Sequence, residues 1–317
     1  MFDSEITMDN IKLNPNVAAA EQRPVVCMVG TLRTVNSTYK NLIEQVIEPL
    51  NADLVFCVSH MSSEDEACID KFRSCNIVDI CIYEDGKNEY QDFLADFFNQ
   101  LTPEQQRQWH KYFDIEGNWL GGLKGRRGSG FHLNFNYWKL FTRLQNLKKN
   151  GFDYQRFIIT RTDLFWLVQH PPLNLLDPKL IWIPTGENYN GYNDRHAICS
   201  DKNIADYLSL FEFMISLKAF IYIYNDLDEN NLNHERHLKS HLDYCGVEVA
   251  KFKNVAYLTG NKQSITNWAP VKTKLIEGKE YAYKYESELL SSIKHMKEFS
   301  FHQNWNMMLF DGSNEND

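Results

Sequence analysis

Arg161-Thr162-Asp163 follows directly on the apolar run Phe157–Thr160, so a cation and a carboxylate stand where a core strand would end. On an extended chain, residues two apart point to one face. A carboxylate in that place can hold Mg²⁺ or Mn²⁺, hard ions that prefer oxygen ligands and keep phosphates and waters in their shell. The arginine can meet a phosphate oxygen, or it can lock the carboxylate into an ion pair that caps the strand. A second apolar run, "VVCMVG", ends the same way at "TLRT", where Thr31, Arg33 and Thr34 precede a predicted helix. Helix N-termini favour anions, so these groups suit a nucleotide phosphate or base, although an arginine in such a loop is more often solvated.

Three further clusters carry polar chemistry. The loop "TGENYNGYND" leads into Asp194, Arg195 and His196, and Tyr189, Tyr192 and Asn193 add the stacking and hydrogen-bonding surfaces that sugars use. Glu235 is the second residue of "HERHLKSHL", where a first-turn carboxylate is favoured by the helix dipole whether or not it reacts. His234, His237 and His241 share that helix face, but no acidic or thiol partner joins them, and a structural reading is preferred. The stretch "GNWLGGLKGRRGSG" reads as a flexible loop that brings Lys124, Arg126 and Arg127 within reach of a phosphate.

These residues need a frame, and the sequence predicts one. "PVVCMVG" reads as a buried strand, "NSTYKNLIEQVIEPL" as a helix entered through Asn36 or Ser37, and "ADLVFCVSH" as a second buried strand. "SSEDEACIDKFRSC" fits a helix and "VDICIYE" a third strand, which is the alternation of an α/β sheet with parallel strands. One or two helices are expected between residues 88 and 108, and a long helix over "HLNFNYWKLFTRLQNLKKN" stops at Gly151. "LIWIP" is a further short strand. In open sheets of this kind ligands bind beyond the carboxyl ends of the strands, which is where Arg33, Arg161 and Asp163 fall.

Composition narrows the function. The chain has 317 residues, 43% of them hydrophobic, enough for a large core. A net charge of −9 speaks against a nucleic-acid surface. The seven cysteines contain no C-x-x-C pair, so neither a zinc site nor a disulfide framework is signalled. The N-terminus lacks an apolar leader, and a cytoplasmic location is expected. "YLSLFEFMISLKAFIYIY" is interrupted by Glu212 and Lys218 and reads as a buried helix and strand, with peripheral contact to a membrane left open. Residues 1–22 are expected to be a flexible extension, 23–302 a single domain, and 303–317 an acidic tail.

The order of "GTLRT", "NYWKL", "YQRFIITRTDLFW", "IWIP", "GYNDRHAI" and "NHERHLKSHLDYCGVEV" resembles the GT-A type of nucleotide-sugar glycosyltransferases, such as those of bacterial surface-polysaccharide clusters and large algal viruses. The resemblance spans residues 24 to 256. It implies a GT-A-like, Rossmann-like fold with a mixed, mainly parallel sheet flanked by helices, and transfer from a nucleoside-diphosphate sugar, UDP-linked, to a glycan acceptor. In that family a D-x-D element binds metal and donor diphosphate. Here it reads Arg161-Thr162-Asp163, leaving Asp163 as the one acid for Mn²⁺ or Mg²⁺, with His302 as a C-terminal ligand. The resemblance makes Asp194 the base of an inverting reaction, with Glu235 competing, and leaves a retaining mechanism open. Together with the strand ends and the Gly-rich loop, this makes Thr31, Arg33, Arg126, Arg127, Arg161 and Asp163 the expected donor-binding residues. Because the first acid is missing, an inactive glycan-binding or scaffold protein is the alternative; a nucleotidyltransferase fits less well, since "GTLRTVNS" is poor in glycine.

Overall fold

The computed structural model describes residues 23–60, 67–84, 130–215, 233–260 and 269–310, with shorter pieces between 92 and 107. Its frame is an eight-stranded sheet of β1 (Val25–Thr31), β2 (Asp53–His60), β3 (Asn76–Glu84), β4 (Arg156–Arg161), β6 (Ile181–Pro184), β7 (His196–Ser200), β8 (Val249–Phe252) and β12 (Leu309–Phe310). The spatial order is β12-β8-β6-β7-β4-β1-β2-β3. β7 runs antiparallel to β4 and β6, and β12 antiparallel to β8, while the remaining pairings are parallel. This is the mixed, mainly parallel sheet that the sequence predicts.

The continuous apolar runs have a direct cause. Along β1 and β2, Val26, Met28, Leu54, Phe56 and Val58 face one core, and Val25, Cys27, Val29, Val55 and Cys57 face another. Strands covered on both faces have no side to leave polar. Burying each larger side chain contributes about 1.5–3 kcal/mol. The first core is closed by α1 (Val35–Leu42) and its continuation to Leu50. The second is closed by α2 (Gly130–Lys149), α3 (Ile204–Leu208), α4 (Leu210–Ile215) and α5 (His234–Cys245).

α1 starts at Val35 from Thr34, without the side-chain cap expected from Asn36 or Ser37, because a 3₁₀ turn over Leu32–Thr34 feeds it straight from β1. Its continuation widens into a π turn over Ile43–Ile47 before Pro49. Proline would clash with the carbonyl four residues back, and that carbonyl, on Gln45, instead accepts the His170 N–H at 2.7 Å. The described part of the helix expected after β2 is a 3₁₀ segment, Ala67–Phe72.

The C-terminal part packs on the carboxyl side of the sheet. A hairpin of β10 (Lys272–Ile276) and β11 (Lys279–Tyr283) leads into α6 (Glu286–His302), while β5 (Leu164–Trp166) pairs with β9 (Ala256–Leu258). The domain does not stop at residue 302. Trp305 and Met308 are buried and Leu309–Phe310 joins the sheet, so the apolar residues of "WNMMLF" carry the fold to Phe310. Among the described residues no helix is long and apolar enough to cross a membrane.

Candidate functional site

From β1 the chain moves outward to β2 and β3, then returns to lay β4 on the other side of β1. Such a reversal opens a crevice at the carboxyl ends of the two strands. Both ends are held there by short bonds. Thr162 donates its N–H to Val29 O at 3.3 Å and its hydroxyl to Thr31 O at 2.7 Å, and Thr38 donates its hydroxyl to Thr162 O at 2.6 Å. Gly30 has a φ of 110°, a conformation costly for any side-chain-bearing residue, and this bends β1 into its terminal turn.

Arg161 and Asp163 share a face and pair directly. The Arg161 Nε and Nη2 donate to the two carboxylate oxygens of Asp163 at 2.9 and 3.0 Å. Lys284, just beyond β11, donates its Nζ to Asp163 Oδ2 at 2.5 Å. Burial alone would raise the Asp163 pKa, yet Arg161 and Lys284 hold it far below the carboxylate range. Both oxygens are therefore engaged by cations. Among the described residues no group of three His, Cys, Asp or Glu side chains is disposed to hold a metal ion. His302 does not approach Asp163: it is exposed at the far end of α6. At about 1.5 Å per residue it lies roughly 21 Å along the helix from Glu288. Glu288 is the residue near Asp163, for Leu258 N–H donates to Glu288 and Thr259 N–H to Asp163 O. The residues present do not fit the divalent ion that the D-x-D likeness implies.

The opposite wall is built by the Gly/Asn-rich loop and α5. Asn233 caps the helix by accepting the Arg236 N–H, and Gly246 ends it with a φ of 68°. The loop presses against this helix start: Tyr192 N–H donates to Glu235 O at 3.0 Å, and a Cβ on Gly191 would fall 2.0 Å from the Glu235 carbonyl. Asp194 is buried and receives His234 Nδ1 at 2.9 Å, while His234 Nε2 meets Asn134 Oδ1 of α2 at 3.0 Å. Burial alone would raise the Asp194 pKa, but the His234 bond and the charges of His234, Arg161 and Arg195 bring it below the usual value. Glu235 is driven the other way. Burial, and then the negative charge of Asp194, push its pKa up to about 8.

Arg195 ties the walls together. It bonds Glu187 at 3.2 Å and pairs with Glu288, its guanidinium lies 4.9 Å from the centre of the Tyr285 ring, and its carbonyl accepts the Arg161 N–H at 3.2 Å. Glu187, Tyr189 and Asn190 of the loop have φ of 50°, 43° and 67°. For Glu and Tyr this is a strained conformation, of the kind that clusters at functional sites.

The structure thus brings Thr31, Arg161, Asp163, Asp194 and Glu235 to one edge of the sheet. Arg126 and Arg127 lie outside the described residues, as do residues 1–22, and Arg33 is placed only by its backbone in the turn after β1. Sequence reasoning missed Lys284, Glu288 and Tyr285, which come from the C-terminal part, and the His234 contact to Asp194. The three histidines of α5 do not converge on a metal: His234 faces Asp194, whereas His241 meets Asp206 O and the Ser209 hydroxyl.

No protein-family model matches the chain, and no curated protein matches it in sequence. Among solved structures it is similar to mouse xyloside xylosyltransferase 1 in its apo form, at 12% identity and a TM-score of 0.39, over 78% of this chain and 89% of that one. An overlap that loose assigns no activity, which has to come from the site.

Proposed function

We propose that the chain is a glycosyltransferase that moves a sugar from a nucleoside-diphosphate sugar, UDP-linked in the first instance, to a hydroxyl of a glycan acceptor. One observation carries this reading. At the strand-end crevice two fixed cations, Arg161 and Lys284, flank Asp163 and stand across from Glu235, a carboxyl whose pKa is pushed up to about 8. Glycosyl transfer needs both: a cationic place for the departing diphosphate and a base for the attacking hydroxyl.

In an inverting reaction the acceptor oxygen forms a bond to the anomeric carbon as the bond to the phosphate oxygen breaks. The hydroxyl proton passes to Glu235, and the electron pair leaves with the nucleoside diphosphate, whose charge Arg161 meets. Asp194 is the weaker candidate for the base, because its low pKa and its bond to His234 leave little affinity for a proton. It keeps Glu235 basic through its negative charge. Thr31 stands on the donor side of the crevice, and the donor role expected of Arg33, Arg126 and Arg127 belongs to the same reading. No step requires a divalent ion.

The alternative, a domain that binds nucleotide sugar or glycan without turnover, draws on the fact that both Asp163 and Asp194 are tied up in internal bonds. Turnover decides between them. Wild-type protein incubated with nucleotide sugars should release free nucleoside diphosphate, measured by chromatography, and Glu235→Gln should release about 10²- to 10⁴-fold less while still binding nucleotide. Binding with no release by the wild type, with water or added glycans as acceptor, would favour the binding domain.

A further inference from the structure

We infer that the donor diphosphate is held by the Arg161–Lys284 pair itself, with Asp163 as their orienting counter-ion, and that nucleotide binding needs no divalent cation. This rests on the nucleotide-sugar reading above and departs from what a D-x-D-like strand end leads one to expect.

Geometry carries the inference. A metal bound by Asp163 would have to share a carboxylate whose two oxygens Arg161 and Lys284 already engage. The Lys284 side chain is only 5% exposed, so its ammonium would sit buried beside a doubly charged ion. Like charges in a poorly solvated place repel strongly. Left as it stands, the trio sets two cations on one carboxylate.

Accessibility within the trio points the same way. The Arg161 side chain is 29% exposed, against 8% for Asp163. Its Nε and Nη2 are spent on Asp163, which fixes the plane of the guanidinium and leaves Nη1 for a phosphate oxygen. A guanidinium held in place by a carboxylate is a preorganised anion site, and bonds between ionised partners are the strong ones. Arg195, the third cation nearby, cannot take the same part, because Glu187 and Glu288 already flank it. The bond from Lys284 N–H to Leu258 O, at 2.9 Å, sets the backbone so that the ammonium reaches Asp163. Lys284 and Arg161 are 123 positions apart in the chain, and only the fold makes them one site.

The test is titration calorimetry of the full chain with UDP, GDP, ADP and CDP, first in EDTA and then in excess Mn²⁺. The best-bound nucleotide should show the same Kd in both media to within about twofold, and Lys284→Met and Arg161→Met should each weaken it about tenfold or more in EDTA, as expected for a charge-assisted contact to phosphate. Lys284→Arg should keep most of the affinity. Binding seen only with Mn²⁺ would overturn the inference and leave the nucleotide-sugar reading standing. EDTA-resistant binding that folded Lys284→Met and Arg161→Met variants retain would overturn it too. If no nucleotide binds in either medium, both the inference and the reading fall. Should the methionine variants not fold, wild-type affinity for UDP against uridine in EDTA decides: equal affinity means that the pair does not read the diphosphate.

Discussion

Asp194 and Glu235 sit at the two ends of one electrostatic arrangement, and their surroundings drive them apart. His234 and two arginines hold Asp194 ionised, while burial and the Asp194 charge keep a proton on Glu235 up to about pH 8. A base of that kind works only once deprotonated, so the rate should rise with pH through about 8, and Glu235→Gln should abolish both that limb and most of the rate. A pH profile of kcat/KM checks this; a limb that survives in Glu235→Gln would assign it to another group. The stability effect has the opposite sense. Because the folded pKa lies above the unfolded value near 4.5, the native state binds the extra proton between those pH values, and stability falls as pH rises from about 4.5 through 8. Glu235→Gln should therefore raise the denaturation midpoint at pH 8 relative to wild type and change it little at pH 4. At this scale the sequence was half legible. Arg161 and Asp163 could be found because they adjoin a strand. Lys284 could not, because nothing in "YAYKYESE" distinguishes it from a solvated lysine.

Between the residues and the sheet, the loop from Thr185 to Arg195 is the element on which the geometry depends. It reaches the start of α5 only because Gly191 has no side chain: its backbone lies against that of Glu235, with no room for a methyl group. Gly191→Ala must push the loop off the helix, breaking the bond from Tyr192 to Glu235 and shifting Asp194 relative to Glu235. Turnover should fall about 10²-fold, the cost of a small misplacement, whereas nucleotide affinity, set by Arg161 on the rigid strand end, should change little. Parallel measurement of kcat and nucleotide Kd separates the two; an equal loss in both would mean that the loop also forms the donor site. The sequence marked this loop as a candidate site, from its Gly, Asn and Tyr content. It did not reveal the positive φ of Glu187 and Tyr189, which no local pattern encodes. "RHAICS" reads only as a partly apolar stretch, yet it forms the central antiparallel strand β7, because pairing with β4 and β6 outweighs its short length.

Across the whole molecule the frame was legible from the apolar runs, since strands covered on both faces leave a plain signature, and the reversal at β1 and β4 then fixes where a ligand can lie. The C-terminal boundary was not, because a two-residue strand has no pattern of its own. The fold also buries His170, His196, His237 and His241. Burial lowers all four pKa values, to about 3 for His170 and about 4 for His241. Above pH 6.5 these groups are neutral in both states and cost nothing. As pH falls below 6.5 the unfolded chain takes up protons that the native state refuses, so each lowers stability as the pH falls, until its folded pKa is reached. Urea midpoints should fall steeply between pH 6.5 and 5, and a flat response would show these rings to be solvated. The site itself is tested most directly by a crystal structure of the protein with UDP grown in EDTA. The diphosphate should lie at the β1–β4 edge with a phosphate oxygen about 3 Å from Arg161 Nη1 and the open side toward Glu235. UDP bound elsewhere, or density there only when Mn²⁺ is supplied and Lys284 has left Asp163, would contradict the account.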